Sequence, residues 1–84
     1  MSQMKAYLAD IETAADDLIR KETGINRFFG DYEWHNKIAG AYMSAIVETA
    51  SGFFCVQFWK RRNLVQLHKE SQPGIFTPIC GITI

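Results

Sequence analysis

The sequence predicts an α+β domain in which two helices pack on a small antiparallel sheet of about three strands, in the order α-α-β-β-β. Three observations predict it. An amphipathic stripe runs through the first quarter of the chain, and a mostly apolar segment follows Gly30–Asp31. The remainder reads as short extended runs separated by turn residues. At 84 residues the chain is expected to be one domain, 1–84. Domains of that size bury only about 60% of the surface their unfolded chains expose.

In "SQMKAYLADIETAADDLIRKETG", apolar residues fall at Met4, Leu8, Ile11, Ala15 and Leu18, with Ile19 beside them. That spacing lines one side of a helix. Ser2 is placed to cap its start, and Gly24 stands just past its end. Asp16 and Arg20, and Asp17 and Lys21, are acid-before-base pairs four apart. Ile25 is placed to fold back on Ile19, and the connector that follows carries Phe28 and Phe29. Asp31 then caps a second helix through "YEWHNKIAGAYMSAIVETAS", with Gly52 as its stop signal. Trp34, Ile38, Ala41, Tyr42, Ala45, Ile46 and Thr49 share one side of it, and Met43 and Val47 widen the apolar arc. A strand reading puts Tyr42, Ser44, Ile46 and Glu48 on one face with no consistent character, so the helix is preferred.

"FFCVQFWKRRNLVQLHKES" reads as a hairpin. Phe54, Val56 and Phe58 face one way in the first run, and Val65 and Leu67 in the second. Bringing these sets together requires an even-length tip, either Arg61–Arg62 or Lys60–Asn63. The opposite face then carries Phe53, Cys55, Gln57 and Trp59 beside Leu64, Gln66, His68 and Glu70. Pro73 and Gly74 suit the central positions of a type II turn. "IFTPICGITI" is then extended, with Pro78 restricting it to a sheet edge or a bend.

Nine basic and nine acidic residues leave no bulk attraction for nucleic acid or anionic lipid. Their distribution is uneven: residues 1–22 hold five acids and three bases, whereas 53–84 hold four bases and one acid. The N-terminus lacks the pattern of a secretion signal, and Ile38–Val47 is half the length that spans a bilayer. Two cysteines in such a chain are expected as free thiols, and the expected compartment is the cytoplasm.

The chemistry-bearing residues do not form a recognisable reactive set. Cys55, Cys80, His35 and His68 would suffice in number for a zinc site, and Cys55 faces His68 across the hairpin when the tip is short. No two of the four lie within a few residues, so neither a metal nor any other cofactor is expected. There is no glycine-rich phosphate loop, paired-carboxylate motif or nucleophile elbow, and the chain is not read as an enzyme. The surplus of apolar side chains is the outstanding feature. Trp34, Tyr42, Met43, Val47, Phe53, Cys55, Trp59, Ile82 and Ile84 exceed what one helix covers, and they have the composition of an interface core. The expectation is an interaction protein that acts as an inhibitor, adaptor or dimerising module, of the size class found in phages and mobile elements. It would engage a protein partner or form a homodimer, and Ile82–Ile84 would offer a strand edge. The alternative is a nucleic-acid-binding module using Trp59, Lys60, Arg61, Arg62 and Lys69.

"ADDLIRKETG", Ala15–Gly24, resembles the end of the first helix of phage uracil-DNA glycosylase inhibitors, over ten of the 84 residues. That family binds through carboxylates later in the chain. Here the later segments are basic and apolar, so the resemblance transfers no functional residue.

Overall fold

A computed structural model describes residues 2–24, 32–37 and 40–84, with side chains from Leu8 onward. Ile25, Phe28, Phe29, Asp31 and Ile38, and the side chains of Ser2 and Met4, lie outside the described residues. The chain forms one helix, α1 (Ser2–Thr23), and five strands: β1 (His35–Lys37), β2 (Tyr42–Thr49), β3 (Gly52–Trp59), β4 (Leu64–Gln72) and β5 (Ile75–Thr83). The strands make a single antiparallel sheet in the order β1-β2-β3-β4-β5, so each pairs with its neighbour in sequence.

The expected second helix is not there, and the expected three-stranded sheet has five strands. The segment read as helical forms β1 and β2 instead. Ala45, Val47 and Thr49 point to the core, while Ser44, Ile46 and Glu48 point away from it. Tertiary packing overrides the helical spacing, because β3 supplies a partner to every residue from Tyr42 to Thr49. Gly40 turns the chain between β1 and β2 with φ +83°, a conformation incompatible with a helix interior.

The first helix forms as its spacing requires. Ile11, Ala15, Leu18 and Ile19 are buried, and the Gly24 N–H donates to the Arg20 carbonyl at 2.7 Å. Arg20 pairs with Asp17, three residues back, rather than with Asp16. Asp16 instead accepts a hydrogen bond from the Tyr32 hydroxyl, and the Trp34 Nε1–H donates to Glu12 at 2.8 Å. Tyr32 and Trp34 stack with their ring centroids 5.3 Å apart. The helix thus lies over β4 and β5, while the chain entering β1 reaches back to its exposed flank.

Between these layers sit Phe54, Val56, Phe58, Val65 and Leu67, none more than 1% exposed. Burying side chains of this size stabilises the fold by about 1.5–3 kcal/mol each. The β3–β4 register is the expected one: Phe58 opposes Val65, Val56 opposes Leu67, and the tip is the four residues Lys60–Asn63. Pro73–Gly74 makes the next turn, with Gly74 at φ +80° as the third residue of a type II turn requires. β5 lies at the sheet edge, and a register irregularity sets Pro78 opposite His68. A proline costs little at such a place.

Candidate interaction surface

With α1 on one side only, the other side of the sheet is left open by every described element. Its residues follow from strand alternation and cross-strand pairing, and they fall into rows across the sheet. Lys37, Tyr42, Trp59, Leu64 and Thr83 form the first row. His35, Ser44, Gln57, Gln66 and Gly81 form the second. Ile46, Cys55, His68 and Pro78 form the third, and Glu48 and Phe53 begin a fourth. A polar row therefore separates an aromatic row from an aliphatic one. Ile46 is 60% exposed and Phe53 44%. Tyr42 and Trp59 stack with centroids 4.3 Å apart, and the Trp59 Nε1–H donates to Gln57 Oε1 at 3.1 Å. The two rings thereby brace each other across the strands, and the Gln57 hydrogen bond fixes the indole.

The structure divides the nine interface candidates three ways. Tyr42, Phe53, Cys55 and Trp59 belong to the open face. Val47 is a core residue at 1% exposure, Met43 packs against the core from the same side, and Trp34 is half-buried with its ring nitrogen bound to Glu12. Ile82 and Ile84 lie at the β5 edge, 39% and 41% exposed. Sequence reasoning missed Ile46, the most exposed large apolar side chain of the described residues. The signal was its place four residues before the Ala50–Ser51 turn, opposite Cys55, which is legible only once β2 is taken as a strand.

Of the basic set, Trp59, Lys60, Arg61 and Arg62 line one cleft of about 440 Å³ with Gly40 and Ala41. The Lys60 N–H donates to the Ala41 carbonyl at 3.3 Å, and Lys60 Nζ to Asn36 Oδ1 at 3.1 Å, so the two hairpin tips sit side by side. Lys69 is not with them. It sits over the Phe54 ring on the helix side. At about 3.3 Å per residue it is roughly 20 Å along the chain from the end of the tip at Asn63.

The four potential metal ligands do not converge. Cys55 opposes His68 on the open face, His35 is displaced from them along β1, and Cys80 opposes Leu67 on the helix side. Among the described residues no group of three or more His, Cys, Asp or Glu side chains is placed to hold a metal ion. Burial pushes the Cys55 thiol above its ordinary range, with the Lys37 charge pulling it part of the way back. Cys80 is raised chiefly by burial too, and Glu22 adds to the effect. Both are neutral thiols at neutral pH, which is the unreactive form. No helix among the described residues is long and apolar enough to cross a membrane. No protein-family model, curated protein or solved structure matches the chain.

Proposed function

We propose that this protein acts by binding another protein through the open face of its sheet, as an inhibitor or adaptor rather than as a catalyst. One observation carries the reading: Ile46 and Phe53 stand exposed on the same sheet face as the Tyr42–Trp59 stack, a face that no described element covers. A side chain such as Phe53 gains about 25 cal/mol for each Å² of apolar surface it hides from water. Tyrosine, tryptophan and phenylalanine are also the residues enriched at interface cores. The reading of a nucleic-acid module has less support. One face of the Trp59 ring is already taken by Tyr42, and Lys69 belongs to the other side of the sheet.

The test is the double substitution Ile46→Ser with Phe53→Ser. Both side chains are exposed, so stability should change by no more than about 0.5 kcal/mol for each. Affinity-capture from the native host should recover a specific protein with the wild-type chain and lose it with the folded variant. Capture of the same protein, undiminished, by the variant would sink the proposal.

A further inference from the structure

The geometry points to a second interaction surface, independent of the open face: two copies of this chain pair antiparallel through their β5 edges about a twofold axis, joining two five-stranded sheets into one.

The two edges of the sheet are built differently. β1 has only three residues and carries His35 and Lys37, the short and charged pattern that blunts an edge against pairing. β5 has nine residues from Ile75 to Thr83, and Asp, Glu, Lys and Arg are absent from it. Pro78 and the register irregularity interrupt its first part, but Cys80–Thr83 runs on as an uncharged free edge with which no described strand pairs. The phase of its hydrogen bonding is fixed by the Ile84 N–H, which donates to the Asn63 carbonyl at 2.8 Å. Alternate residues of an antiparallel strand turn their main-chain groups the same way. Ile82 and Cys80 accordingly bond back to β4, while Gly81 and Thr83 present N–H and C=O outward.

Three features select a second copy as the occupant. An uncharged strand meets itself across a twofold axis with no like-charge opposition. Pairing Gly81 with Thr83 of the other copy, and Thr83 with its Gly81, sets Ile82 against Ile82 on the helix side. That joins two side chains that are each 39% exposed in the single chain. Finally, α1 is off-centre, seated on β4 and β5. A twofold at the β5 edge brings the two helices alongside each other over the middle of the joint sheet. With β1 blunted, the contact closes at two copies and does not propagate.

Analytical ultracentrifugation of the full chain up to near-millimolar concentration reads the association directly. Thr83→Pro removes an outward N–H that the single chain does not use, and should weaken dimerisation about tenfold or more while the far-ultraviolet dichroism is unchanged. Ile82→Cys, in a background of Cys55→Ser and Cys80→Ser, should form a disulfide-linked dimer under mild oxidation, since directly opposed positions lie within bridging reach. A wild-type chain monomeric throughout that range overturns the proposal. So does an Ile82→Cys variant that stays unlinked, or a folded Thr83→Pro variant that dimerises like the wild type. These outcomes are separate from loss of partner capture by the Ile46 and Phe53 substitutions, because neither side chain touches the β5 edge.

Discussion

His68 shows how the open face differs from an ordinary solvated one. Its ring lies in the third row opposite Cys55, is only 9% exposed, and has a buried Nδ1 with no hydrogen-bond partner. Burial lowers its pKa below the usual 6.5, and the nearby Cys55 main chain offsets part of that effect. The folded protein therefore holds the ring neutral where the unfolded chain would charge it. The unfolded state binds more protons just below pH 6.5, so stability is full above that pH and falls as the pH drops through it. The denaturation midpoint should decline between pH 7.5 and 5, and His68→Leu should flatten the decline. An unchanged slope in the variant would show that another group is responsible. Nothing in the residue order around "QLHKE" announces this burial, because alternation marks His68 as facing away from the core. The unpartnered nitrogen becomes visible only with the sheet in place.

Among the elements, those specified by local chemistry were legible, and β1 and β2, specified by their neighbours, were not. The stripe through Ile11, Ala15, Leu18 and Ile19 named α1, and the parity of Phe58 and Val65 fixed the β3–β4 register. Pro73–Gly74 named a turn whose geometry demands positive φ at Gly74. Gly74→Ala should therefore cost about 1 kcal/mol, since a Cβ in the left-handed region clashes with the adjoining carbonyl. A chemical-denaturation midpoint equal to wild type would contradict that turn. β2 failed for a physical reason. Its core face carries Ala45, Val47 and Thr49, but its other face also carries Tyr42 and Ile46, so the alternation of apolar with polar that marks a half-buried strand is absent. The same apolar outward residues that obscured the strand furnish the candidate site. Phe53, Cys55 and Trp59 share one face as the hairpin parity requires, whereas Tyr42, read as helical, joins them only through its place in β2.

For the molecule as a whole, the radius of gyration is 12.3 Å. A compact domain of this length has about 12 Å, so the bare sheet face is not the by-product of an extended shape. Neighbouring strands are successive in the chain, and the sheet can grow by local steps. The helix is the exception. It is made first, and its seat on β4 and β5 is made about 50 residues later. At about 5–20 residues per second of synthesis, α1 waits roughly 3–10 s for a surface to cover it. Most of the stability of a protein helix comes from packing its apolar face, so the greasy stripe of α1 spends that interval beside the ribosome without shelter. Nascent chains arrested before β4 emerges should be cut within residues 8–20 by protease as fast as the urea-unfolded protein, and release should make that segment resistant. Early resistance would mean that the helix finds another seat first.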